Sequence, residues 1–292
     1  MNGYTRKRPL SIIALLFLAL ACVGPGCTSP SNSKPNPQIA ITTILSTHIP
    51  GIPNPSIWIP ELNTSWQWQL SGQLELPLDV EMMDIDLIDN DANIVAELHR
   101  QGMKVICYIN VGSWEDWRPD KDQFPNAVIG KKYSGWPGER WLDIRQIDLL
   151  APIMRARLDA CKAKGFDGVE PDNIDGYTND TGFPLMYQDQ LNYNIWLSNE
   201  AHARGLSIGL KNDPEQVADL LPYFDWALTE SCFTEGWCDQ VAPFVGAGKA
   251  VFAVEYTDTG MTLEEFCPQA GVLKFNAILK DRDLDAWHEA CP

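Results

Sequence analysis

From about residue 65 onward, short apolar runs alternate with longer stretches whose apolar positions recur at helical spacing. The first pattern marks strands and the second marks helices packed on one face. Residues 66–70 (WQWQL) alternate and stop at Ser71-Gly72, which predicts a first strand. Residues 80–87 predict a second strand, 93–101 a helix stopped by Gly102, and 104–111 (KVICYINV) a third strand. A long aromatic and charged loop covers 112–144, followed by a helix over 146–164 and a fourth strand over 168–172. A helix over 188–204 turns at Gly205. Strands five to eight fall at 206–212, 226–231, 250–256 and 273–279.

Strands separated by helices pair in parallel with right-handed crossovers. Eight of them predict an α/β fold of the (β/α)8 TIM-barrel type, which commonly takes roughly 250 residues. An open doubly wound sheet would want a glycine-rich phosphate turn, and neither GxGxxG nor GxxxxGK occurs.

The chain begins differently. Arg6, Lys7 and Arg8 precede an apolar run over 10–21 that is too short to span a bilayer, so residues 1–21 read as an export signal. Residues 18–22 (LALAC) resemble a bacterial lipobox with Cys22 as the lipidated residue; Cys27, or ordinary cleavage to a secreted or periplasmic product, stays open. Residues 22–40 are polar and proline-rich, as expected of a disordered tether, leaving 41–292 for the barrel. A membrane would be met only through that N-terminal anchor.

Removing residues 1–21 takes away three basic residues and no acid, so the net charge of −17 becomes −20. Such a surface repels nucleic acid and attracts cations. Six cysteines lie beyond the N-terminal region, an even number that suggests disulfides in an oxidising compartment. The expected pairs are Cys232–Cys238, Cys267–Cys291 and Cys107–Cys161. Zinc is the rival, but no CxxC pair is present and the spacings are irregular.

Barrel enzymes carry their chemistry at the C-terminal ends of strands. Here those ends gather acids and amides: Asp84 and Asp86; Tyr108, Asn110 and Ser113; Glu170, Asp172, Asn173, Asp175 and Tyr177; Lys211, Asn212 and Asp213; Glu230; and Glu255. A charge buried in a core strand costs stability, so several strand ends bearing acids call for a reason. Of the four histidines, His99, His202 and His288 are expected on helices and His48 in the N-terminal lead-in. This disfavours a histidine-rich metal site or a Ser-His-Asp triad. Carboxylate chemistry is what is left, and glycosidic cleavage needs only two carboxyl groups. The 11 tryptophans fit a sugar site, since sugar rings stack their C–H faces on aromatics. Trp114, Trp117, Tyr133, Trp136 and Trp141 crowd the loop after strand three. Trp136 and Trp141 are expected to pack it onto the barrel rim.

At these residues the sequence resembles the endo-α-1,4-polygalactosaminidase family, glycoside hydrolase family 114. The matching segments are 66–72 (WQWQLSG), 108–120 (YINVGSWEDWRPD), 141–145 (WLDIR), 165–177 (GFDGVEPDNIDGY), 208–213 (IGLKND) and 227–232 (ALTESC). The resemblance implies a (β/α)8 barrel that hydrolyses α-1,4-linked galactosamine-rich polymers without metal or organic cofactor. It also implies two catalytic acids, after strands four and six, at positions that match Asp172 and Glu230. Asp172 is then expected as nucleophile and Glu230 as acid/base, roughly 5–5.5 Å apart in a retaining enzyme and roughly 6.5 Å or more in an inverting one. Asp86, Tyr108, Asn110, Asn173, Asp175, Tyr177, Lys211, Asn212 and Glu255 are the expected substrate contacts, with Glu255 in reserve as acid/base. The expected partner is a cationic polysaccharide, which an acidic cleft would attract. A neutral α-galactoside as substrate, or a non-catalytic sugar-binding lipoprotein, are the alternatives. Nothing in the sequence speaks to oligomeric state.

Overall fold

The computed structural model describes residues 57–292 except residue 75, so the export signal, the tether and Cys22 lie outside the described residues. Eight parallel strands stand side by side in chain order. They are β1 (Trp66–Gln69), β2 (Met82–Asp86), β3 (Lys104–Asn110), β4 (Gly168–Asp172), β5 (Ser207–Lys211), β6 (Trp226–Glu230), β7 (Val251–Tyr256) and β8 (Asn276–Lys280). Every adjacent pair from β1 to β8 is parallel, as the alternating pattern predicts.

The seam between β8 and β1 is closed by the C-terminal segment. His288–Ala290 pairs antiparallel with β8, and the backbone amides of Leu70 and Ser71 both donate to the Leu284 carbonyl. The Trp66 indole donates to the Asn276 carbonyl, and Gln67 Nε2 donates to that of Ala286. His288 therefore sits on a strand, not on the expected helix.

The longer helices are α1 (Ala92–Arg100), α2 (Ile147–Lys164), α3 (Tyr187–Ala203) and α4 (Leu263–Leu273). Asp91 caps α1 by accepting from the amides of Asn93 and Ile94, and Gly165 ends α2 in the left-handed conformation. The period-two pattern of each strand divides the core in two. Outward residues such as Met83, Ile85, Val105, Ile208 and Leu210 pack under the helices. Inward residues, among them Trp66, Trp68, Ile106, Trp226 and Phe252, fill the barrel. Gly209 is inward on β5 because a Cβ there would sit 2.4 Å from the Trp226 ring.

All three expected disulfides are present: Cys107–Cys161, Cys232–Cys238 and Cys267–Cys291. The loop after β3 differs from expectation. It holds a three-stranded antiparallel sheet of Ser113–Glu115, Glu139–Leu142 and Ile129–Lys132. Strands this short, rich in charge and glycine, leave no clear periodic signature. Among the described residues no helix is long and apolar enough to cross a membrane.

Candidate active site

The inward positions at the C-terminal ends of β4, β5 and β6 meet at one ammonium group. Lys211 Nζ lies 2.8 Å from Asp172 Oδ1, 3.0 Å from Glu170 Oε1 and 3.1 Å from Glu230 Oε2, and 4.8 Å from the centre of the Trp68 ring. Burial alone would strip the lysine of its proton, but Asp172, Glu170 and Glu230 outweigh it and push its pKa well up. The Lys211 side chain is 2% exposed, against 19% for Asp172 and 28% for Glu230. The lysine is thus a buried strut, and the two acids above it face the cleft.

Each acid has a second holder. Tyr108 Oη donates to Asp172 Oδ2 at 2.9 Å. Burial raises the Asp172 pKa, but Lys211 first and then Tyr108 bring it below the usual carboxylate value. The Tyr256 hydroxyl donates to Glu230 Oε1, and the Glu230 amide donates to Asn212 Oδ1 at 2.9 Å. Asn173 and Asn212 take positive φ values of 63° and 50°, which asparagine tolerates better than most residues. They turn the chain sharply after β4 and β5. The turn after β4 also needs Gly112, where a Cβ would fall 1.6 Å from the Asn173 carbonyl oxygen.

The cleft over this cluster has two arms. One is lined by Trp68, Ser71, Asp86, Tyr108, Glu115, Trp117, Arg118, Glu139 and Asn173, with Asp172 at its base. The other is lined by Tyr177, Asp213, Glu215, Glu235 and Trp237. Tyr133, Trp136, Asp175, Asn212, Glu230 and Arg282 border both.

Tyr108, Asn173, Asp175, Tyr177, Lys211 and Asn212 therefore line the cleft with Asp172 and Glu230. Asp86 also lines it, but its carboxylate is committed to Arg118 and to the amides of Ile88 and Asp89. Two expected contacts lie elsewhere. Asn110 is buried beneath the wall, where its Nδ2 donates to Ser113 Oγ at 2.6 Å and Ser113 in turn donates to Glu139. Glu255 is fully buried and accepts from the Phe233 amide and the Thr234 hydroxyl. Its neighbours Val254 and Tyr256 take the inward positions of β7, so alternation sends Glu255 out of the barrel, which removes it as a reserve acid/base. Trp136 is corrected in the other direction: it is 50% exposed and lines the cleft. Trp141 is buried against Tyr133, as a packing residue should be.

Sequence reasoning passed over the residues beneath and beside the pair. Arg118 bridges Asp86 and Glu115 at 2.6 and 2.9 Å. Glu139 is raised to about 7 by burial. Tyr256 holds Glu230, and its inward place on β7 was the available signal. Among the described residues no group of three His, Cys, Asp or Glu is arranged to hold a metal ion.

Comparison with known proteins adds four findings. The sequence profile of glycoside-hydrolase family GH114 matches residues 52–292. The crystal structure of Aspergillus fumigatus Ega3 in complex with galactosamine superposes with a TM-score of 0.77 at 39% identity, over 81% of this chain and 98% of that one. The glycoside hydrolase domain of PelA from Pseudomonas aeruginosa shares the fold, with a TM-score of 0.60 at 12% identity over 77% of this chain and 98% of that one. A Deinococcus radiodurans protein is 23% identical over 94% of this chain and 97% of its own length.

Proposed function

The chain belongs to glycoside-hydrolase family GH114, and from that membership we propose that it is an exported, retaining hydrolase of α-1,4-linked galactosamine-rich polysaccharide. The observation that carries the mechanism is the clamping of Asp172 and Glu230 on one lysine. A shared Nζ at 2.8 and 3.1 Å keeps the two bonded oxygens within about 6 Å of one another, a spacing that accommodates the roughly 5–5.5 Å of retaining enzymes.

Asp172, held ionised by Lys211 and Tyr108, attacks the anomeric carbon. Glu230, the more exposed acid, gives its proton to the departing glycosidic oxygen. Water then donates a proton to Glu230 and attacks the same carbon, releasing Asp172 from the glycosyl ester. Trp117 and Trp136, about half exposed at the cleft, offer faces for sugar rings. Two arms leading away from the pair suit cutting within a chain. The galactosamine bound by Ega3 supports an amino-sugar substrate. Three disulfides support passage through an oxidising compartment, and a lipid on Cys22 would tether the enzyme at the cell envelope.

The test is reducing-end release from partly deacetylated α-1,4-galactosamine polymer. Asp172→Asn and Glu230→Gln should each lose at least about a thousandfold in rate while staying folded. Binding without cleavage by the native protein would reduce it to a sugar-binding barrel. Cleavage of a neutral α-galactan alone would overturn the substrate.

A further inference from the structure

The turns that follow β7 and β8 are tied to each other at the C-terminal end of the barrel. Thr257 Oγ1 donates to Asp281 Oδ1 at 2.5 Å. One residue further along each turn, Arg282 grips Asp258 with two prongs, Nε at 3.0 Å from Oδ2 and Nη2 at 2.8 Å from Oδ1. Both partners are well exposed, so the pair adds little to stability. Its effect is on position. A bidentate fork fixes the plane of the guanidinium, where a single bond would leave it free to swing.

Held so, Arg282 lies over Tyr256, with Cζ 3.6 Å from the centre of the ring. The ring is buried, and its hydroxyl donates to Glu230 Oε1. The other carboxylate oxygen of Glu230 meets Lys211 at 3.1 Å. A cation over a phenol draws electron density from the ring and so makes the hydroxyl a stronger donor. Burial and then Glu230 raise the Tyr256 pKa well above its usual value, while Lys211 and Arg282 pull the other way. Three contacts thus run in series from the surface to the acid, Asp258 to Arg282 to Tyr256 to Glu230. Arg282 borders the cleft, whereas Asp258 is not among its lining residues.

We propose that Arg282 is a positioning residue for the acid/base, acting through Tyr256: it fixes the phenol against Glu230 and strengthens the hydrogen bond between them. The inference rests on the hydrolase reading above and adds a residue that governs the proton-donating step. As Glu230 gives its proton to the glycosidic oxygen, negative charge grows between Tyr256 and Lys211. A donor already held in place stabilises that charge in the transition state without having to reorganise. Arg282 does this through the ring and needs no contact with the sugar. Direct binding of sugar hydroxyls is the other use for a cationic side chain at the cleft, and kinetics separate the two.

The experiment is steady-state kinetics on galactosamine polymer in a double-mutant cycle of Arg282→Met and Tyr256→Phe. Arg282→Met should lower kcat about three- to tenfold and leave KM within about twofold, because the lost interaction belongs to the transition state. In Tyr256→Phe protein, which lacks the hydroxyl, the same substitution should cost less than about twofold. Arg282→Lys keeps a cation over the ring and should restore most of kcat. Asp258→Ala, which loosens the guanidinium from outside the cleft, should lower kcat in the same sense with KM unchanged, and it serves as the second variant should Arg282→Met fold poorly. Equal losses in the native and Tyr256→Phe backgrounds, or a raised KM with kcat unchanged, would make Arg282 a substrate contact and overturn the proposal. Native rates in Arg282→Met would overturn it as well, and in all these cases the native enzyme still cleaves the polymer. Native protein that cleaves no galactosamine polymer would instead remove the hydrolase reading, and this inference with it.

Discussion

Asp84 and Glu170 meet as two fully buried carboxyl groups at the floor of the barrel, and both oxygens of Asp84 and one of Glu170 lack any other partner. Two anions cannot sit so, and a proton between them resolves the conflict. Burial and the neighbouring Glu170 charge raise the Asp84 pKa well above its usual value, so Asp84 is the protonated member and donates to Glu170. Glu170 is raised to about 7 by burial, with Lys211 opposing.

Asp84→Asn should fold, because its amide can donate where the proton did. The sign of its pH effect follows from linkage. An acid raised in the folded state binds more protons folded than unfolded, so native stability falls as pH climbs above about 4. The Asn variant lacks that loss, and its melting temperature relative to native should rise between about pH 5 and pH 8. Asp84→Ala, which strands the Glu170 oxygen, should instead cost about 1–3 kcal/mol. Thermal melts across pH decide between them.

Trp136→Ala should raise KM on polymer about three- to tenfold and leave the melting temperature nearly unchanged, since the indole is half exposed on the cleft. Trp141→Ala should do the reverse and destabilise the fold by roughly 3–5 kcal/mol, as loss of a buried aromatic does. Paired kinetics and unfolding curves on the two variants test the division.

The barrel was legible because each strand announces itself twice, by alternation along its length and by polar residues where it ends. Asp172, Lys211 and Glu230 could be found on those ends. What the pattern lacked was direction and depth. Glu255 has the residue type and the strand end of a catalytic acid, but the parity of β7 turns it outward. Asp84 and Glu170 lie on different strands, and only the stagger of a closed barrel sets them face to face. The seam made by 284–290 was missed because its bonds run largely from side chains and single carbonyls, which leave no periodicity.

Removing the Cys107–Cys161 bridge by a double Ser substitution should lower stability by about 3–4 kcal/mol. It ties β3 to α2 across 54 residues, so the unfolded chain gains most of the freedom that loop had lost. A drop in melting temperature of roughly ten degrees, with the KM of the remaining folded enzyme unchanged, is the expected result. A changed KM would mean that the bridge also sets the position of the strand bearing Tyr108.

Lys211→Met tests the strut itself. Its ammonium is the main group holding Asp172 below the usual carboxylate range against burial. With that charge gone, burial dominates and the Asp172 pKa must rise. The acid limb of kcat/KM should therefore shift to higher pH, and the rate at the optimum should fall by about a hundred- to a thousandfold. Stability moves the same way. A depressed acid contributes above its unfolded pKa and loses that contribution as pH falls through the folded one, so native protein should lose stability toward acid through Asp172 where the Met variant does not. Asp172→Asn in the Lys211→Met background should cost far less than in native protein, because the two residues act as one unit. An acid limb that stays in place in Lys211→Met would show that Tyr108 alone keeps Asp172 ionised, and Tyr108→Phe would then move it.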